Sequence, residues 1–218
     1  MHSDVSATVF WLMLLLGAYH GLNPAMGWLF AVALGMQRQQ GRAVARSLVP
    51  IALGHALAVG SVVTIAAVLG LSLPLVVMRT IVATLLVSLG IFFLVRHWHP
   101  RWVRMQVGFR DLSVWSFLMA TAHGAGLMVV PVLLRGSTAR ASGAMTGHDH
   151  AHLTATAGPA AAIFAIAVHT AGYLAVTGLI AWIVYRKVGL AVLRKAWFNM
   201  DLLWAVVLIA TGVVTFLL

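Results

Sequence analysis

The feature that most constrains this chain is a series of apolar runs, each separated from the next by a short segment carrying arginines. A helix needs about 20 residues to cross the hydrocarbon core of a bilayer. Stretches of that length fall near 6–36, 44–69, 75–95, 113–134, 159–185 and 197–217. With no water available to exposed backbone groups, such runs span as helices whose hydrogen bonds close internally. Composition agrees: 62% of the 218 residues are hydrophobic and 8% charged, with a mean hydropathy of +1.00, against about 25% charged in an average soluble domain. The expected fold class is all-α, a polytopic membrane protein of six transmembrane helices forming a single membrane domain over 1–218.

The formal net charge of +10 is topological and does not imply a nucleic-acid partner. Arg38, Arg42 and Arg46 fall in one loop, Arg96, Arg101, Arg104 and Arg110 in a second, and Arg186, Lys187, Arg194 and Lys195 in a third. A chain that crosses six times puts these three loops on one side, leaving Arg79, Arg135 and Arg140 for the other. The positive-inside rule makes the basic side cytoplasmic, with both termini outside, in a bacterial-type inner membrane. Cysteine is absent, which excludes disulfides and thiolate metal sites. The N-terminus, MHSDVSATVFWLMLLLGAYHG, lacks a basic n-region and a small-residue cleavage signal, so it is expected to be a retained first helix.

Three short matches recur in the same order in the two halves. AYHG (18–21) resembles TAHG (121–124), and GHALAV (54–59) resembles VHTAGY (168–173). MRTIVATLLVSLGIFFL (78–94) aligns with MDLLWAVVLIATGVVTF (200–216), keeping Met78 with Met200 and Gly90 with Gly212. An odd number of helices per half inverts the second half relative to the first. The expectation is two inverted three-helix repeats, about 6–96 and 113–218, with a site near the midplane where they meet. Arg79 and Asp201 then occupy equivalent positions at opposite faces and are not an ion pair.

His20, His55, His123 and His169 lie inside the spans. At about 1.5 Å rise per residue, the last three sit roughly 15 Å from their helix ends, near the bilayer centre, and His20 is somewhat deeper. Ionisable residues at such depth are costly and face the bundle interior. Singly, each imidazole reads as an interhelical hydrogen-bonder; four at matching depth read as a metal or metal-cofactor site, since neutral imidazole suits Zn, Cu, Fe and Ni. Haem ligand pairs fit the same residues. Around His20, Pro24 removes a helical hydrogen bond and Gly21 loosens the preceding turn. Freed carbonyls near His20 and Asn23 are expected to line a coordination or permeation point, with an ordinary proline kink as the plain alternative. Met26 and Met119 offer soft ligands, although methionines in such helices are more often packing.

The segment GHDHAH places His148, Asp149, His150 and His152 in an outer loop (135–158), where a short His-rich tract suits metal capture. HWHP supplies His97 and His99 at the inner face, read as interfacial anchors with Trp98 and Trp102. Asp111 and Asp201 read as helix-start residues favoured by the dipole. The four acids are Asp4, Asp111, Asp149 and Asp201, so no carboxylate pair exists for acid–base hydrolysis, and no GxSxG, Walker-loop or HExxH motif is present.

LLLGAYHGLNPAMGWLFAVALGMQRQQGRAVARSLVPIALGHALAVGSVV, most clearly over residues 14–63, resembles the first two helices of the nickel/cobalt resistance transporters of the lysine-exporter superfamily. Members carry a similar LLGxxHGLxPxx start, a basic loop and a histidine in the second helix. The resemblance implies six helices in two halves, metal-cation transport, and metal contact at His20 and His55. Asn23 stands where the family has an acid, Met26 stands where it has a second histidine, and the His-containing loop follows helix four. Losing the carboxylate removes charge that favours a hard or borderline divalent ion.

The leading expectation is an inner-membrane transition-metal transporter whose midplane site is His20, His55, His123 and His169, completed by Asn23, Met26 and backbone near Pro24. Two alternatives use the same histidines: a membrane-embedded metal- or haem-dependent enzyme, and an exporter of a small anion or amine with a histidine proton relay. The expected partners are the bilayer and a metal ion whose identity among Ni, Co, Zn, Cu and Fe stays open. Gly54, Gly60 and Ala66 permit close packing within or between chains, which leaves the oligomeric state open as well.

Overall fold

The computed structural model describes residues 2–70, 73–95, 108–141, 158–188 and 200–217. They form eight α-helices: α1 (His2–Leu22), α2 (Trp28–Gln37), α3 (Gly41–Gly70), α4 (Leu75–Val95), α5 (Phe109–Ala122), α6 (Ala125–Ala141), α7 (Gly158–Ile183) and α8 (Met200–Leu217). A single 3-10 turn, Pro24–Met26, separates α1 from α2, and a π turn, Val184–Val188, ends α7. No strand occurs among the described residues.

Three helical segments are long and apolar enough to cross a membrane: Gly41–Leu69, Leu75–Val95 and Ala160–Lys187. A fourth span results if α5 and the described start of α6 count as one segment bent by 57°. Shorter apolar helices cover Ala7–Leu22, Trp28–Gln37 and Ala205–Leu217. The expected second, third and fifth spans thus coincide with continuous helices. The first and fourth are each divided in two, and the described part of the sixth is short of a full crossing.

The outward faces are apolar. Ile163, Phe164 and Leu179 on α7 and Leu57 and Ile65 on α3 are each more than half exposed. In water such a continuous apolar surface would drive association; against lipid it needs no cover. The inward faces hold a packed core that includes Met13, Met26, Ile51, Met78, Leu86, Met128, Tyr173 and Leu208.

Packing is dominated by three helix pairs: α1 with α7, α4 with α8, and α3 with α5. Glycine sets the spacing in each. A Cβ on Gly17 would lie 1.9 Å from the His169 carbonyl oxygen, and one on Gly54 would lie 2.1 Å from that of Ser113. Between α4 and α8 the contact is reciprocal, Gly90 facing the Ala205 carbonyl and Gly212 facing that of Ala83. Small residues at crossings let backbones approach within van der Waals contact, the main source of helix association in lipid.

Candidate functional site: a buried imidazole cluster

The two helix breaks and the two unbroken central helices each deliver one histidine to the interior. His20 stands in the last turn of α1 and His123 at the C-terminal cap of α5. His55 and His169 sit well inside α3 and α7. The first pair is held alike: Nδ1 of His20 lies 2.7 Å from the Leu16 carbonyl oxygen, and Nδ1 of His123 lies 2.8 Å from that of Met119. Each bond spans one helical turn, fixes the ring orientation, and leaves Nε2 as the nitrogen turned away from the helix.

The break after His123 follows from Gly124, whose φ of +69° is the left-handed conformation that stops a helix. The break after His20 is built differently. Asn23 caps the 3-10 turn, its Oδ1 accepting from the Ala25 N–H at 2.9 Å, with Pro24 in the first position. Gly27, at φ +138°, then redirects the chain into α2.

His20, His55 and His169 come together. Their ring centroids are 5.8 Å (His20–His55), 5.1 Å (His20–His169) and 5.4 Å (His55–His169) apart, and all three residues have no exposed surface. His55 and His169 are nearly parallel, at 12°, while His20 meets both edge-on. Both ring nitrogens of His55, and both of His169, are buried without a hydrogen bond. The Met13 carbonyl lies near His169 but lacks hydrogen-bond geometry. A buried polar group left unsatisfied costs about 1–3 kcal/mol, a cost that a cation, a proton or water at these two imidazoles would relieve.

The fourth expected ligand sits apart from this contact. His123 is within electrostatic range of His20, but its ring stacks on Phe93 at 5.1 Å and 20°. Among the described residues no group of three or more His, Cys, Asp or Glu is arranged to hold a metal ion. The three rings therefore cluster without their nitrogens converging on a common point.

The expectation of free carbonyls beside Pro24 is corrected. Trp28 Nε1 donates to the Leu22 carbonyl at 3.1 Å, Trp115 Nε1 donates to that of Ala25 at 3.1 Å, and the Tyr173 hydroxyl donates to that of Met26. Asn23 Oδ1 is likewise occupied as a cap. A break inside a bilayer has to satisfy its own backbone, and here aromatic donors from α2, α5 and α7 do so. Met26 and Met119 are both buried, and Met119 contributes its carbonyl to His123.

Tyr173 is the site residue that sequence reasoning missed. Its ring stacks on His55 at 3.9 Å and 12°, while its hydroxyl reaches Met26. One residue thus ties the imidazole cluster to the broken segment. It sits one turn after His169, and the GHALAV/VHTAGY alignment had already placed it in that segment. His97, His99, His148, Asp149, His150 and His152 lie outside the described residues. Asp111 acts as expected, accepting the Gly108 N–H at 2.9 Å where α5 begins.

Comparison with protein-family models, curated proteins and solved structures finds no match to this chain. What the fold defines is an all-helical protein with apolar helices compatible with a lipid bilayer.

Proposed function

We propose that this chain is a membrane transporter for a transition-metal cation, and that His20, His55 and His169 receive the ion as substrate. The observation that carries the reading is the pair of imidazoles, His55 and His169, buried in contact with His20 and left with unsatisfied nitrogens. Imidazole nitrogen without thiolate or carboxylate selects borderline metals such as Ni, Co, Zn and Cu over Mg or Ca. His123, behind Phe93, is a later or earlier station for the same ion rather than a fourth ligand of one closed site.

Transport requires that binding be reversible and that access alternate. Two inverted three-helix halves provide for this, with α1–α2, α3 and α4 in one half and α5–α6, α7 and α8 in the other. Several features support the arrangement. The Gly90–Ala205 and Gly212–Ala83 contacts are related by the same register shift that pairs Met78 with Met200. The first helix of each half ends in His-Gly with the same i to i−4 imidazole bond, and it packs on the second helix of the other half. In such folds the site lies where the halves meet, as the cluster does, with His20 from one half facing His169 from the other. The nitrogens converge when the halves shift and Tyr173 releases His55.

A second reading is favoured by the near-parallel His55 and His169 rings and the absence of a converged ligand set among the described residues. In it the imidazoles relay protons for a small solute. The haem alternative gains less support, since rings in direct contact leave no room for a porphyrin between them. Uptake into proteoliposomes separates the readings. We expect accumulation of Ni, Co, Zn or Cu that chelator blocks and that His55→Ala abolishes. Solute flux indifferent to chelator, with no metal accumulation, would replace the metal reading with the proton relay.

A further inference from the structure

We propose that the cavity at the end of α7 holds the headgroup phosphate of an anionic phospholipid. The cavity, about 500 Å³, is lined by Met36, Gln39 and Gly41 on one side and by Trp182, Tyr185 and Arg186 on the other. It lies well along the chain from the imidazole cluster, and the inference does not depend on the metal reading.

The chemistry of the lining is one-signed. Among the described residues Arg186 is the only charged one in it, and exposed Arg38, Arg42 and Lys187 lie next to lining residues in sequence. None of the four acids of the chain lies on α2, α3 or α7, so no carboxylate on these helices competes for the guanidinium. Arg186 stands over the Trp182 ring, 4.9 Å from its centroid. Stacking on an aromatic face fixes the plane of the guanidinium fork and leaves its edge N–H groups for a phosphate. The turn that presents Arg186 is a π turn, Val184–Val188, a widening of the helix that recurs at ligand sites.

The opposite wall is equally fixed. Gln39 adopts a left-handed φ of +51° and donates its side-chain amide to the Met36 carbonyl at 2.8 Å. Gly41 lies directly beneath Trp182, where a Cβ would come within 3.1 Å of the indole. A lipid fits better than a free anion because the approach is apolar. Leu179 and Ile183 are exposed on α7 just before the cavity, and Trp182 is 43% exposed. Acyl chains lying along these residues would bring a headgroup to Arg186 at the aromatic interface. Basic pockets between helix ends on the cytoplasmic side recognise anionic headgroups in this way.

The test is native mass spectrometry of delipidated protein, titrated with phosphatidylglycerol, with phosphatidylcholine, and with phosphatidylglycerol plus excess inorganic phosphate. Both lipids carry the phosphate, but the choline of phosphatidylcholine sets a fixed cation against Arg186, so the first phosphatidylglycerol should bind at least about tenfold more tightly. Arg186→Gln should erase that preference and Lys187→Gln should keep it. Equal binding of the two lipids would overturn the proposal, as would unchanged selectivity in Arg186→Gln or equal loss in Lys187→Gln. Displacement of the lipid by inorganic phosphate would assign the cavity to a free anion and overturn the lipid assignment.

Discussion

At the scale of single residues, the site is a small set of aromatic and imidazole side chains whose bonds distinguish ligand from scaffold. Asn23 spends its Oδ1 on the Ala25 N–H, so Asn23→Ala should cost about 1 kcal/mol, the usual value of a lost cap. Metal uptake by the surviving folded protein should be unchanged; chemical denaturation paired with uptake measures both, and lost uptake at normal stability would make Asn23 a ligand. Tyr173→Phe removes the bond to Met26 while keeping the stack on His55. It should lower stability by about 1–3 kcal/mol, because the buried Met26 carbonyl is left bare. The imidazoles were legible in the sequence because charge-capable residues stand out against an apolar background. Tyr173 was not, since a tyrosine in a membrane helix reads as an interfacial anchor until its depth and partner are known. The carbonyls near Pro24 misled for a related reason: proline reveals which bonds are lost, whereas the donors that replace them come from Trp115 and Tyr173, 90 and 147 residues away.

At the scale of helices, the positions of the breaks matter more than the lengths of the spans. Apolar runs predicted α3, α4 and α7 within a few residues, because a continuous run leaves little choice of structure in lipid. The break after His123 was missed, although TAHG repeats AYHG and Gly124 stands where Gly21 does. Gly-induced termination depends on φ at a single residue, which a hydropathy pattern does not register. Close approach of α1 and α7 is what brings His20 to His169, and Gly17 sets it. Gly17→Ala forces a methyl into the His169 carbonyl, a backbone atom that moves only with its helix. The cost should reach the upper part of the 1–3 kcal/mol range for overpacking, about 2–3 kcal/mol. That corresponds to a melting temperature lower by roughly 5–10 °C for a chain of this size, with ion binding weakened as well. A melting temperature equal to that of the unsubstituted protein would show that the helices are not in backbone contact there.

At the scale of the whole molecule, the proposed transporter combines an expected basic face and two expected inverted halves with the observed imidazole cluster. The cavity brings Gln39 and Gly41 beside Tyr185 and Arg186, so the turn between α2 and α3 and the end of α7 lie together. Because the chain has no cysteine, single cysteines at Gln39 and Lys187 should both react with an impermeant maleimide from the cytoplasmic side only. Labelling from opposite sides would overturn the expected six-span topology. The three short matches raised the expectation of a repeat; the reciprocal Gly90–Ala205 and Gly212–Ala83 contacts and the two i to i−4 imidazole bonds, which agree with it, needed coordinates. The central claim is that His20, His55 and His169 receive one cation. Equilibrium metal titration of purified protein against His55→Ala, His169→Ala and His123→Ala tests it most directly. The account predicts one tight ion per chain for the unsubstituted protein, loss of that ion in the first two variants, and about tenfold weakening or less in the third, the lower end of the range for a residue outside the ligand shell. Absence of bound metal, or binding in His55→Ala and His169→Ala equal to that of the unsubstituted protein, would contradict it.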